Sequence, residues 1–118
     1  MQNRRQFLGA MSVPAVSALA VAYLDPARVA RALGAAILVF QTDVSGVLDA
    51  TRRLIPRMTR RQARDLIDSG VANGGMIPKI EACALAVETV RAGYIIDGRI
   101  AGALLECVAG HDIGTRIT

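Results

Sequence analysis

The segment from Val71 to Lys79 has the residue types that bind a phosphate group. Its sequence, Val-Ala-Asn-Gly-Gly-Met-Ile-Pro-Lys, places two glycines directly before the expected start of a helix. Glycines let the backbone approach a ligand closely, and the first N–H groups of a helix lack internal partners and carry partial positive charge. Lys79 lies in the first turn, so its ammonium group could stabilise a phosphoryl group during transfer. An ordinary helix with a flexible glycine start and a surface lysine would have the same pattern, and the order of residues is not that of a Walker A loop.

A second group of small polar residues follows a continuous apolar run at residues 35–40. That run has the length and the branched side chains of a buried parallel strand that is covered on both faces. Ligands in open α/β sheets collect at the carboxyl ends of such strands. The residues that could line a nucleotide there are Thr42, Asp43, Val44, Ser45, Gly46, Val47 and Leu48. Asp43 could instead cap the turn through its side chain, which is the commoner role of an aspartate after a strand.

The rest of the sequence supplies the elements that must position these two segments. A capping box at Thr59 and Gln62 begins a helix that Gly70 ends, and a second helix begins after Gly75 and ends at Gly93. The pattern further predicts a helix at residues 101–108 and strands at residues 94–96 and 114–118. This order of elements predicts an α/β fold, an incomplete three-layer αβα domain with a mainly parallel sheet.

The first 33 residues differ in character from the rest and resemble an export signal. The paired Arg4 and Arg5 precede an uncharged stretch at residues 9–24, and triplets of the small-x-small form end at Ala20 and Ala22. This order is typical of a twin-arginine signal peptide. A buried or amphipathic N-terminal helix is the alternative. We therefore expect two parts, a twin-arginine signal-like segment at residues 1–33 and a domain at residues 34–118.

The composition excludes several classes of function. Residues 1–33 hold four basic residues and one acidic residue, whereas residues 34–118 hold ten basic and nine acidic residues, so the domain is nearly neutral. With two Phe, two Tyr and no Trp, the chain lacks a stacking platform for bases, and we expect no nucleic-acid partner. His111 is the only histidine, so no metal site is expected. Cys83 and Cys107 fit small buried side chains on helix faces.

Several motifs together resemble the C-terminal part of the acetylglutamate kinases, which belong to the amino-acid kinase family. They are TDVSGVLD at residues 42–49, GGMIPKIEAC at residues 74–83, IIDGR at residues 95–99 and GTRI at residues 114–117. Members of this group use ATP with Mg²⁺ to phosphorylate the side-chain carboxylate of N-acetyl-L-glutamate in arginine biosynthesis. The resemblance covers about residues 33–118, and it implies the nucleotide-binding half of that fold in a cytoplasmic protein.

The resemblance also assigns roles to individual positions. Lys79 corresponds to the lysine that stabilises the transferring phosphoryl group, and it is the catalytic candidate. The loop that contacts the adenine and ribose side of ATP corresponds to Asp43, Val44, Ser45, Gly46, Val47 and Leu48. A second nucleotide-binding segment corresponds to Val71, Ala72, Asn73 and Gly74. The resemblance implies ATP as a partner, and N-acetyl-L-glutamate if the missing half is supplied. A second copy of the chain could cover the open edge of a truncated sheet, and the signal-like segment indicates the twin-arginine export machinery as a further partner.

The sequence departs from the family pattern in its cations and in its phosphate loop. The Lys-x-Gly-Gly loop and the Asn-x-Asn-x-Asp motif of the family's N-terminal half do not occur, and Lys79 is the only lysine. Because phosphoryl transfer depends on positioning both substrates and on neutralising charge at several points, we expect a truncated and inactive kinase fragment. The alternatives are an exported non-enzymatic small protein and a nucleotide-binding module that associates with itself.

Overall fold

The computed structural model describes residues 25–118, and residues 1–24, which carry most of the predicted export signal, lie outside the described part. The elements in chain order are α1 (Pro26–Leu33), β1 (Ile37–Thr42), β2 (Arg57–Met58), α2 (Arg60–Asp68), α3 (Ile77–Ala86), β3 (Ala92–Asp97), α4 (Ala103–Ala109) and β4 (Thr115–Ile117). The predicted α/β fold class is confirmed. Within residues 25–118, no helix has the length and apolar character needed to cross a bilayer.

The four strands form one mixed sheet in the order β1-β3-β4-β2. β1 pairs with β3 in parallel and β2 pairs with β4 in parallel, whereas β3 and β4 are antiparallel. The expectation of a mainly parallel sheet therefore holds for two of the three pairings. The parallel register joins Thr42 to Asp97, so the carboxyl ends of β1 and β3 lie at the same edge of the sheet.

Helices cover both faces of β3, which gives the three-layer arrangement. Ile95 packs on one face in a core cluster with Ile80 and Cys83 of α3. Tyr94 and Ile96 point to the opposite face, because side chains alternate along a strand. They pack there against two buried residues of α4, Ala103 and Cys107.

Helix α1 lies within the segment that was predicted to be signal-like. Its N-cap is Asp25, whose side chain accepts the N–H of Ala27 at 3.0 Å, and it ends at Gly34 in the left-handed conformation. The buried Ala27 and Ala30 pack with Leu38 and Ala86 in a core cluster beside α3. Residues 26–33 thus pack onto the domain, whereas the assignment of the export signal and the boundary after residue 33 stay predictions.

Helices α2 and α3 begin where the sequence predicts, but α3 ends earlier. Both hydrogen bonds of the Thr59–Gln62 capping box are present, at 2.8 and 3.1 Å. Pro78 lies in the first turn of α3, where its missing N–H leaves no hydrogen bond unmade. The prediction that Gly93 ends this helix is wrong, because α3 ends at Ala86 and Gly93 lies inside β3.

Candidate functional site

A cleft lies between the loop that follows β1 and the segment that leads into α3. One cavity of about 120 Å³ is lined by Val44, Gly46, Val47, Leu48, Val71, Ala72, Asn73 and Met76. A second cavity of about 330 Å³ shares Leu48, Val71 and Asn73 with the first. Its other lining residues are Asp49, Ala50 and Arg52. Because the cavities share walls, they form adjoining parts of one cleft, whose volume is in the range of small-molecule sites, about 300–1,000 Å³.

The structure brings together most of the residues that the sequence predicts for this site. Seven of the ten predicted nucleotide-binding residues line the smaller cavity. Asp43, Ser45 and Gly74 are exposed and do not line either cavity of the cleft. The catalytic candidate Lys79 is half-buried in the first turn of α3, three residues after the cavity-lining Met76.

The start of the 43–48 loop is held by the side chain of Thr42. Its hydroxyl accepts the N–H of Val44 at 3.2 Å and lies 2.9 Å from the carbonyl oxygens of Val44 and of Ile96, to either of which it can donate. The turn is therefore closed by Thr42, and not by the neighbouring Asp43, whose side chain is exposed. These bonds fasten the first residue of the cavity wall, Val44, to the end of β3.

Val47 belongs both to the cleft and to the hydrophobic core. The whole residue is 1% exposed, and it packs in the cluster that contains Met58, Ile80 and Ile95. Because the residue is buried as a whole, its backbone also has almost no surface exposed in the cleft. That backbone is itself held, because its carbonyl oxygen accepts the N–H of Ile55 at 2.8 Å.

A tight turn at residues 49–53 forms the outer wall of the cleft. Asp49 Oδ1 accepts the N–H groups of Thr51 and Arg53 at 2.8 and 2.9 Å. The hydrogen bond from the Arg53 backbone, with those from Thr51, lowers the pKa of the Asp49 carboxyl below its usual value. Arg52 has a φ of 66° and lines the larger cavity. Sequence reasoning missed Arg52, and a basic residue after an aspartate-initiated turn is too common a pattern to have indicated it.

The N-terminus of α3 faces the cleft without a side-chain cap. Met76 occupies the N-cap position, and the N–H groups of Met76 and Ile77 share the carbonyl oxygen of Asn73 at 3.0 and 3.2 Å. Met76 lies in the predicted phosphate-binding segment, but the sequence does not mark it as a site residue. No ion pair joins Lys79 to another residue of the described range 25–118.

Asp97 lies at the same sheet edge, at the carboxyl end of β3, and already has a cationic partner. Its carboxylate accepts the backbone N–H and the Nε and Nη2 groups of Arg99 at 2.9, 3.0 and 2.9 Å. The Arg99 guanidinium lowers the pKa of Asp97 below its usual range. Asp97 is therefore already paired with Arg99 and does not offer a free carboxylate for proton transfer.

The described residues contain no candidate metal centre. Among residues 25–118, no three His, Cys, Asp or Glu side chains come together closely enough to hold an ion. His111 is exposed, and its Nδ1 is hydrogen-bonded to the Glu106 carboxylate. Cys83 and Cys107 are free and buried.

Comparison with known proteins connects this geometry to one family. Residues 26–97 match the family described as Amino acid kinase family, which is more than half of the chain. The chain belongs to the amino acid kinase family. It is 49% identical over 92 residues to the acetylglutamate kinase of Azorhizobium caulinodans, covering 76% of this chain and 31% of that protein. It is 48% identical over 95 residues to the acetylglutamate kinase of a Nostoc species, covering 76% and 32%.

Solved structures with the same fold include proteins of different names. N-acetylglutamate synthase from Neisseria gonorrhoeae, complexed with coenzyme A and L-arginine, superposes with a TM-score of 0.69 at 29% identity. That match covers 78% of this chain and 22% of the synthase chain. Carbamate kinase from Giardia lamblia bound to AMP-PNP gives a TM-score of 0.65 at 22% identity, which speaks for the fold alone. The present chain spans about a third of the length of the curated acetylglutamate kinases that it matches.

Proposed function

We propose that this chain binds an adenine nucleotide together with Mg²⁺ in the cleft between residues 43–49 and 71–76. The observation that carries the proposal is the convergence of two segments, distant in sequence, on one cleft beside the N-terminus of α3. Binding sites of open α/β sheets lie beyond the carboxyl ends of parallel strands, and the 43–48 loop follows such a strand directly.

The charges around the cleft suit the phosphate groups of a nucleotide. The start of α3 has no side-chain cap and adds partial positive charge. Lys79 follows within the first turn, and Arg52 adds a second cation at the outer wall. The apolar residues Val44 and Val71 provide surfaces for the base. Since the described residues hold no cluster of metal ligands, Mg²⁺ would be coordinated mainly by the phosphates of the nucleotide.

The relatives suggest which reaction the nucleotide serves. Several are named acetylglutamate kinase at 46–50% identity, so we assign ATP as phosphoryl donor and N-acetyl-L-glutamate as acceptor, in arginine biosynthesis in the cytoplasm. Transfer requires both substrates to be positioned and charge to be neutralised at several points. This chain contains Lys79 as its only lysine. We therefore expect the 118-residue chain by itself to bind nucleotide without transferring phosphate, and to need a second polypeptide for catalysis.

Calorimetric titration of the purified chain with MgADP and with adenosine tests the proposal. Wild-type protein should bind both. Lys79→Ala should weaken the binding of MgADP, and that of MgATP more strongly, without changing that of adenosine, because its ammonium would face the phosphates and above all the transferred one. A hydrogen bond to a charged group contributes about 1.5–3 kcal/mol, which corresponds to a ten- to hundredfold loss of affinity.

Arg61→Ala is the matched control, since it removes one positive charge from the exposed face of α2. It should bind both ligands like wild type. Folded wild-type protein that binds neither MgADP nor adenosine would refute the proposed function. An equal loss of adenosine binding in Lys79→Ala would show that this lysine supports the fold of the cleft and does not contact phosphate.

A further inference from the structure

The buried hydroxyl of Thr115 fastens the wall of the cleft to strand β4 of the sheet. Thr115 begins β4, has no exposed surface, and its side chain lines neither cavity of the cleft. It faces the same side of the sheet as its cross-strand partner Ile95, toward α3. A polar side chain in this position must have its hydrogen bonds satisfied inside the protein.

One bond of that hydroxyl goes to the cleft-lining Val47, and the other goes to Ile55, two residues after the turn at 49–53. Thr115 Oγ1 accepts the N–H of Val47 at 2.8 Å and donates to the carbonyl oxygen of Ile55 at 2.7 Å. Ile55 in turn donates its N–H to the carbonyl oxygen of Val47 at 2.8 Å. The three residues thus form a closed set of hydrogen bonds, in which Thr115 takes part through its side-chain hydroxyl and the other two through their backbones.

The neighbouring Gly46 shows how closely the loop backbone approaches this hydroxyl. A Cβ atom at residue 46 would lie 2.7 Å from Thr115 Oγ1 and 3.1 Å from its backbone nitrogen. Gly46 also has a φ of 150°, which L side chains rarely adopt. Gly46 therefore lets the loop lie against Thr115, and the hydroxyl of Thr115 then holds the next residue, Val47.

We propose that Thr115 is a positioning residue for the nucleotide, which acts by holding residues 46–48 in the shape that the ligand contacts. This inference rests on the proposed nucleotide binding. Without the hydroxyl, the Val47 N–H loses its buried partner and the loop must be ordered by the ligand itself. Ordering a loop on binding lowers affinity, whereas a preformed loop avoids that cost.

The test compares Thr115→Val, which keeps the shape of the side chain and removes the hydroxyl, with Thr115→Ser, which keeps the hydroxyl. The Kd for MgADP is measured by calorimetry at a temperature where each variant is fully folded. We expect Thr115→Val to bind MgADP about tenfold more weakly, as the loss of a buried hydrogen bond implies, and Thr115→Ser to bind within about twofold of wild type.

Val90→Ala is the control for a general loss of stability. Val90 is buried in the core cluster beside α1 and does not contact the cleft. This variant should unfold at a lower denaturant concentration and keep the wild-type Kd. A tenfold weaker Kd in Val90→Ala, or a wild-type Kd in folded Thr115→Val, would overturn the positioning role.

Hydrogen exchange in the wild-type protein keeps the inference falsifiable if Thr115→Val does not fold. The amide of Val47 should exchange far more slowly than that of the exposed Ser45, already without nucleotide. Equal exchange rates for the two amides would contradict the inference that the loop is preformed, even if MgADP binds. If wild-type protein with a protected Val47 amide does not bind MgADP, the proposed function fails, and the positioning role fails with it.

Discussion

Replacing Gly93 by alanine should push α3 away from the sheet and destabilise the domain. Gly93 lies in β3 opposite Cys83 of α3, and both residues are buried. A Cβ atom at residue 93 would lie 2.7 Å from the Cβ and Sγ atoms of Cys83 and 3.2 Å from its Cα atom. Because Cβ and Cα are fixed to the helix backbone, no rotation of the cysteine side chain can relieve the overlap.

The expected size of the effect follows from the overlap. Inserting a methyl group into a packed core typically costs about 1–3 kcal/mol. For a domain of this size each kcal/mol lowers the melting temperature by about 4–8 °C. We expect Gly93→Ala to lower the free energy of unfolding by about 1–3 kcal/mol, measured by urea denaturation followed by circular dichroism. Since α3 also carries Lys79, MgADP binding should weaken in the same variant.

The matched control for this substitution is Gly74→Ala. A Cβ atom at residue 74 would have no atom within 4 Å, and the backbone there is not in the left-handed region. Its free energy of unfolding should therefore equal that of wild type or rise slightly, because alanine reduces the entropy of the unfolded chain. If Gly93→Ala unfolds at the same urea concentration as Gly74→Ala, the close packing of β3 on α3 is refuted.

Two further predictions concern the helix start and the thiols. Thr59→Ala removes the N-cap of α2 and should lower the free energy of unfolding by about 1 kcal/mol. Gln62→Ala keeps the Thr59 cap and should lower it by less. Both free energies are measured by urea denaturation, and equal losses would argue against the capping box. Burial raises the pKa of the Cys83 thiol to about 12 and also raises that of Cys107. Neither thiol should react with a disulfide reagent at pH 8 until the protein unfolds, and rapid labelling of native protein would contradict this. The free energy of unfolding should fall as the pH rises past about 8.5, the thiol pKa in the unfolded chain, because only the unfolded chain ionises readily there.

The elements with local signals could be predicted from the sequence. The capping box at Thr59 and Gln62 and the proline in the first turn of α3 act through residues next to one another in the chain. The apolar run after Gly34 predicts a strand, which is shifted by two residues in the structure. Local hydrogen bonds and backbone preferences determine these features, so a single sequence is sufficient to show them.

The features that depend on distant contacts could not be predicted. Gly93 has the pattern of a helix end, but its place in β3 follows from close packing against Cys83. β2 has only two residues and exists through its pairing with β4. Helix α1 has a local signal in Asp25 and Pro26, but these residues lie within the segment predicted to be signal-like. Thr115 contacts Val47, which is 68 residues away in the sequence, and no spacing of residues indicates that contact.

The core position of Val47 means that folding and ligand binding share one structure in this protein. Val47 packs with Ile80 of α3 and Ile95 of β3, and the same residue lines the cleft. A substitution that loosens the core around Val47 therefore moves the wall as well, although it touches no ligand. A loss of nucleotide affinity identifies a contact residue only when the variant is fully folded. The adenosine control for Lys79 and the Val90 control for Thr115 are therefore needed to tell a loss of ligand contact or loop positioning from a general loss of stability.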